Sequence, residues 1–123
     1  MSVAVDLRAL GERLDEYGPR AYLLTVTDGR RPHAVSVTVR LDGDRLTTCV
    51  GRRTAANLVE RPDATFLWSP VGPEGEYSLI VDGTAVAPVD EGAIAVAPTR
   101  AVLHRVAGAD GDAPTCIPVA PPE

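Results

Sequence analysis

The sequence predicts a mainly β protein, a small barrel of six to seven short antiparallel strands with an N-terminal helix and a short inserted helix. Apolar residues make up 45% of the 123 residues, and Ala and Val carry most of that content, which favours strands. Eleven Gly and eleven Pro indicate many turns. The apolar runs between these turns are short, and short antiparallel strands avoid exposed edges by closing into a barrel.

The first predicted element is an amphipathic helix that begins after Asp6, a residue type that favours the N-cap position. Gly18-Pro19 is a typical helix stop. The apolar residues between these signals recur at a spacing that places them on one helical face: Leu7, Leu10, Leu14 and Tyr17. This pattern predicts a helix that packs one side against the rest of the protein.

Strands are predicted for most of the remaining chain, at 21–27, 33–41, 45–50, 64–69, 76–87, 94–97 and 101–106. The first of them is apolar on both faces, so we expect it to be covered on both sides. The second alternates most clearly, with Val35, Val37, Val39 and Leu41 facing one way. Gly83 interrupts the fifth strand and indicates a bend or a bulge.

One domain is predicted over residues 1–106, followed by a tail at 107–123 that is rich in Gly, Asp and Pro. Only five residues are aromatic, which gives a barrel of this size a modest core. A second copy of the chain would cover more apolar surface, so we expect a homodimer.

The composition argues against several classes of protein. Seventeen acidic residues face twelve arginines and no lysine, and the net charge of −5 argues against general nucleic-acid binding. No apolar run reaches about 18 residues and no signal-peptide pattern is present, so neither a membrane span nor a membrane partner is expected. Cys49 and Cys116 have neither a metal-binding nor a redox-pair spacing. We therefore expect two reduced thiols, no metal site and a cytoplasmic protein.

The most distinctive local pattern is the run from Gly51 to Leu58, which follows the third strand and opens the short helix. Arg52 and Arg53 precede the helix, and Thr54 is a plausible N-cap. The first turn of a helix presents free backbone N–H groups and a partial positive charge. Guanidinium groups beside such a turn suit a phosphate. Paired arginines are also common as solvated surface residues, so the pattern alone leaves both interpretations open.

Several segments together resemble the pyridoxamine 5′-phosphate oxidase-like split barrels. The run 21–37, with Asp28-Gly29 followed by Pro32-His33, resembles the first hairpin of that family. The run 51–58, followed by Arg61-Pro62, resembles its basic turn, its Asn-Leu helix and the exit from that helix. The strand at 64–68 follows in the same order. The similarity extends over about residues 6–106 and implies a homodimeric split barrel that binds a flavin, usually FMN, in a groove between subunits.

The resemblance also implies the residues of the cofactor site. The phosphate would bind at the basic turn, the flavin ring would lie along the second strand, and the other subunit would close the ring site, often with an aromatic side chain. The residues implied are Arg52, Arg53, Thr54 and Asn57 for the phosphate, Val35, Ser36, Val37 and Thr38 for the ring, and Trp68 or Tyr77 for the aromatic contact. No catalytic acid or base is evident, because a turn-capping role is expected for His33 and a structural one for His104.

The function implied is that of a flavin-dependent oxidoreductase that uses FMN, with a small-molecule substrate that the sequence does not identify. Vitamin B6 oxidation is not expected, since the family's oxidases have a longer C-terminal part that holds the substrate phosphate. Many members carry a Lys in the short helix, where Ala55 and Ala56 stand here. Two alternatives therefore stay open: a deazaflavin-dependent reductase of a planar substrate, whose cofactor has a long acidic tail, and a non-enzymatic cofactor-binding module.

Overall fold

Seven antiparallel strands and short helices make up the computed structural model, which describes residues 2–72 and 75–106. The strands are β1 (Ser2–Val5), β2 (Arg20–Val26), β3 (Pro32–Asp42), β4 (Arg45–Val50), β5 (Asp63–Trp68), β6 (Tyr77–Val86) and β7 (Gly92–Arg105). A 3₁₀ turn (Leu7–Ala9) leads into α1 (Leu10–Tyr17), and α2 (Arg52–Glu60) connects β4 to β5. The predicted tail at 107–123, with Cys116, lies outside the described residues.

The strands close into a barrel, which confirms the predicted fold class. Their order is β1-β7-β4-β3-β2-β5-β6, and β6 also pairs with β7, so six strands form the barrel and β1 is an additional strand on β7. The two late strands predicted at 94–97 and 101–106 are one strand, β7. The sequence did not predict β1, because its strand conformation depends on pairing with the distant segment 101–104 of β7.

Helix α1 is placed as the sequence predicts. The N–H of Arg8 donates to Oδ1 of Asp6 at 2.9 Å, which caps the 3₁₀ turn that leads into α1. Gly18 ends α1 at a φ of 87°, a conformation that glycine adopts without strain. The Tyr17 hydroxyl donates to the backbone oxygen of Tyr77 at 2.8 Å, which ties the end of α1 to β6. Burial, aided by the nearby Glu16 carboxylate, raises the pKa of the Tyr17 phenol.

The barrel interior carries the hydrophobic core. Phe66 and Trp68, both on β5, are its largest fully buried side chains, and their ring centroids are 6.0 Å apart. Nε1 of Trp68 donates to the backbone oxygen of Gly18 at 2.9 Å, so the indole N–H is satisfied inside the protein. Aliphatic side chains from the neighbouring strands fill the remaining interior: Leu23, Leu46, Leu79, Val81 and Val96.

The bulge predicted at Gly83 is present in the β6–β7 pairing, where the register shifts between Asp82 and Gly83. A Cβ at Gly83 would lie 2.6 Å from Cγ1 of Val96 and 2.7 Å from the backbone oxygen of Ala97. The two strands approach too closely here for any side chain, so glycine permits the barrel to close.

Strand β2 has one buried and one open face within a single chain. Ala21, Leu23 and Thr25 are buried, but the opposite face is open, with Tyr22 49% and Val26 37% exposed. Within one chain β2 is therefore covered on a single face.

Neither helix in the described part of the chain is long and apolar enough to cross a membrane.

Candidate functional site

The basic turn forms the first turn of α2. The helix begins at Arg52, and its N-cap is Gly51, whose backbone oxygen accepts from the N–H of Ala55 at 3.1 Å. The prediction that Thr54 is the N-cap is wrong, because the N-cap lies three residues earlier, at Gly51, and Thr54 is buried inside the first turn of the helix. Arg52 and Arg53 thus lie on the helix itself, at the end where N–H groups lack helical partners.

Buried contacts hold α2 against the barrel. Ala55 and Leu58 belong to the hydrophobic core. Asn57 is also buried, and its Nδ2 donates to Oγ1 of Thr25 on β2 at 3.1 Å. A buried hydrogen bond between two side chains fixes the helix relative to the strand. The amide nitrogen of Asn57, which the resemblance assigned to the phosphate, thus has a partner within the protein.

A groove of about 400 Å³ lies between β3 and the start of α2, and we call it the strand groove. Its walls bring together six of the residues predicted for the cofactor site: Val35, Ser36, Val37, Arg52, Arg53 and Thr54. Val35 and Val37 supply apolar surface, and the two arginines supply positive charge. The groove therefore joins an apolar wall to a cationic end.

The backbone of β3 is open along this groove. β3 pairs with β2 from Pro32 to Thr38, but its pairing with β4 extends only over Val39–Asp42. The N–H of Val39 donates to Pro19 on the β2 side, at 2.7 Å. Peptide groups alternate in direction along a strand, so those of Ser36 point to the side that β4 has left. The split between β3 and β4 thus presents a backbone donor and acceptor to a ligand.

A second, wider groove of about 670 Å³ continues beyond the arginines, and we call it the tail groove. It lies between the β2–β3 connection, α2 and the approach to β7, and its lining consists of Thr27, Asp28, Gly29, Arg52, Arg53, Ala56, Asn57 and Glu91. Arg52 and Arg53 line both grooves. A ligand that binds the two guanidinium groups can therefore extend in either direction.

The charges at this junction are available to a ligand. Arg52 and Arg53 are exposed, and neither forms an ion pair with any residue in 2–72 or 75–106. The nearby carboxylate of Asp28 is bound by Arg61 at 2.7 Å, and Nε of Arg61 also donates to the backbone oxygen of Val26 at 2.9 Å. The Asp28 carboxylate is therefore paired with Arg61 and with neither Arg52 nor Arg53.

Three predicted contacts lie elsewhere. The structure places Trp68 in the core at 1% exposure with its N–H already bonded, so it cannot close a ring site in this chain as folded. The alternation of β5, which buries Ala64, Phe66 and Trp68, is the physical reason. Thr38 lines neither groove, and its backbone oxygen accepts from Oγ1 of Thr48 at 2.7 Å. Tyr77 also lines neither groove and packs beneath the guanidinium of Arg105.

Residues that were not predicted for the cofactor site also line the grooves. His33 and the free, exposed Cys49 line the strand groove, and Glu91 lines the tail groove. Nδ1 of His33 is buried without a hydrogen-bond partner in the described part of the chain, so no turn-capping bond forms there. Cys49 precedes the basic turn by two residues, a proximity that the sequence does show. Glu91 is brought to the groove only by the fold.

Comparison with known structures finds several proteins that share this fold. A putative pyridoxamine 5′-phosphate oxidase from Listeria innocua superposes with a TM-score of 0.63 at 20% identity, covering 80% of this chain and 98% of the other. An F420 reductase gives 0.60 at 19% identity, covering 73% and 94%. A haem-binding protein from Mycobacterium smegmatis gives 0.64 at 17% identity, covering 80% and 54%. The protein thus has the split-barrel fold that these proteins share, as predicted.

Sequence relatives define the family more closely. No protein-family model matches the chain. Uncharacterised proteins from Mycobacterium bovis and Mycobacterium tuberculosis are each 46% identical over 121 residues, covering 86% of this chain and 84% of the relative. The chain belongs to the same family as these two mycobacterial proteins.

Proposed function

We propose that this protein binds FMN and acts as a flavin-dependent oxidoreductase on a small-molecule substrate. The observation that carries the proposal is the strand groove, in which the open edge of β3 and the unpaired Arg52 and Arg53 share one cavity of about 400 Å³. A flavin phosphate needs charged donors, and its ring needs an apolar wall with backbone hydrogen-bonding groups.

Each part of the groove would hold one part of the cofactor. Arg52, Arg53 and the N–H groups of the first turn of α2 would bind the phosphate. The peptide group of Ser36 would bond the polar edge of the ring, while Val35 and Val37 would exclude water from one side of it. The bound flavin would supply the hydride chemistry, and these residues would orient it.

The size of the tail groove makes a deazaflavin the second candidate. It starts at the same two arginines and is larger than the strand groove, so it offers room for a tail that continues past the first phosphate. An F420 reductase among the structural neighbours is consistent with this alternative. A cofactor-binding module without enzymatic activity is the third candidate, because the sequence shows no evident catalytic acid or base.

Cofactor titration distinguishes these three functions. We expect the purified protein to bind added FMN with a Kd in the micromolar range or below and to show a flavin absorbance band after gel filtration. Binding of coenzyme F420 without FMN binding would select the deazaflavin function. Binding of neither cofactor would contradict the oxidoreductase proposal and leave the third candidate.

We also propose that the protein forms a homodimer through the open face of β2. Tyr22 and Val26 are exposed on this face, with the half-buried Leu24 between them. Ser36 of β3 pairs directly with Tyr22, so a second copy bound here would lie beside the strand groove. A single chain leaves this apolar strip in water, and a partner would cover it.

Sedimentation tests the dimer. We expect the protein to sediment at twice its chain mass of 12.9 kDa at micromolar concentration, and Val26→Glu to yield the monomer because it places a charge in the interface. Val59→Glu is the matched control, since Val59 is 59% exposed and belongs to α2 rather than to β2. A wild-type protein that sediments as a monomer would refute the shared site.

A further inference from the structure

We propose that Glu91 is a specificity-determining residue, which disfavours cofactor tails that carry negative charge beyond the first phosphate. The inference rests on the proposed function and concerns the tail groove, which Glu91 lines together with Arg52 and Arg53. It assigns a preference for FMN, or for a tail that carries neutral hydroxyl groups, over a deazaflavin with an acidic tail.

The charges of the tail groove are unevenly distributed. Its cations, Arg52 and Arg53, stand where it joins the strand groove, and its carboxylates are Asp28 and Glu91. Asp28 is paired with Arg61 at 2.7 Å, so these two charges largely cancel at a distance. Glu91 is exposed and forms no ion pair with any residue that the structure describes. The negative charge of Glu91 is therefore not neutralised by an ion-pair partner among the described residues.

The electrostatic interaction of this groove with the first phosphate differs from its interaction with any later anionic group. A phosphate bound at the junction is attracted by both arginines at contact distance. A further anionic group that extends along the tail groove moves away from the junction and approaches Glu91, which also lines this groove. Charges within a screening length of about 10 Å at 0.1 M salt still repel one another.

Neutral polar groups avoid this repulsion and can even gain from Glu91. A carboxylate accepts hydrogen bonds from hydroxyl or amide donors. The tail groove therefore suits a cofactor tail with hydroxyl groups, which can donate hydrogen bonds to Glu91.

The test compares Glu91→Gln with Glu60→Gln. Glu60 is the last residue of α2, is exposed and lines neither groove, so the two variants change the net charge equally but at different places. Inorganic phosphate and inorganic triphosphate are titrated into the full chain at low salt. Binding is monitored by NMR of the arginine side chains. FMN and coenzyme F420 are then titrated in the same way.

Glu91→Gln is expected to tighten triphosphate binding about three- to tenfold and phosphate binding less than about twofold. Coenzyme F420 should gain more than FMN, and Glu60→Gln should change none of these ratios. Equal gains for phosphate and triphosphate, or equal behaviour of the two variants, would overturn the inference, as would failure of Glu91→Gln to strengthen triphosphate binding.

The outcomes for the inference and for the proposed function remain separate. A selectivity change for triphosphate without any FMN binding would refute the FMN function alone. FMN binding with unchanged selectivity between the anions would refute the role of Glu91 alone.

Discussion

Arg53→Ala is expected to weaken FMN binding by roughly 1–3 kcal/mol, or about 5- to 150-fold, and the double variant with Arg52→Ala is expected to weaken it further. The reason is that both guanidinium groups line the strand groove, are exposed and lack ion-pair partners among the described residues. Their donors are thus available to the phosphate. Isothermal titration or quenching of flavin fluorescence gives the dissociation constants.

Arg40→Ala is the matched control for this prediction. Arg40 is exposed on β3, lines neither groove and carries the same charge, so its removal should leave FMN binding within about twofold. Arg53→Lys should give an intermediate loss, since it keeps the charge but not the forked donors. An unchanged dissociation constant in Arg53→Ala would show that the phosphate does not bind at this turn. Thermal unfolding should be unaffected, because both arginines are solvated.

Trp68→Ala is expected to have the largest effect on stability, lowering the free energy of unfolding by about 3–5 kcal/mol. Trp68 is fully buried against Phe66, and its N–H bonds the backbone oxygen that ends α1. Replacement by Ala leaves a cavity between β5 and α1 and an unpaired backbone acceptor. Urea unfolding measures the change, and Val59→Ala, at an exposed position, should stay within about 0.5 kcal/mol.

Trp68→Phe separates the stability role from a role in cofactor binding. This variant keeps an aromatic ring in the core but removes the hydrogen bond to Gly18, which should cost about 0.5–1.5 kcal/mol. FMN affinity should not change, because the indole does not line either groove. A loss of FMN affinity without a loss of stability would support the contact between Trp68 and the flavin ring that the resemblance implied.

The sequence predicted those parts of the fold that local patterns encode. The spacing of Leu10, Leu14 and Tyr17, with Asp6 before and Gly18 after, was sufficient for α1. The alternation of apolar and polar residues was sufficient to predict β3. The flanking turn residues were sufficient to predict β4 at its observed bounds, 45–50. Strand β1 could not be predicted, because four residues without a buried side chain acquire their conformation from β7.

Strand β7 was predicted as two strands, 94–97 and 101–106, and Pro98 lies between them. In the structure Pro98 pairs with Gly83 and Arg100 pairs with Asp82, so one additional residue of β7, Thr99, is accommodated at the bulge. A proline is tolerated beside a bulge, where the regular ladder is already broken. The strand therefore continues through a position that the sequence pattern indicates as a break.

The site was predictable where its residues are contiguous. Arg52, Arg53 and Thr54 follow one another, and the resemblance supplied the neighbouring residues Val35–Val37 on β3. The start of α2 was misplaced by three residues because Thr54 is the better N-cap by type, while Gly51 holds the position by backbone geometry. Glu91 comes from a connection that only the closed sheet brings to α2.

The dependence of three strands on β7 has a consequence for how the chain acquires its structure. β7 pairs with β1, β4 and β6, and Ser2 meets His104 across 102 positions. Contacts so distant along the chain carry a large loop-closure entropy, which slows the folding of all-β domains. During synthesis, a nascent chain from which β7 has not yet emerged holds three unfinished edges, so the barrel can close only after β7 has left the ribosome.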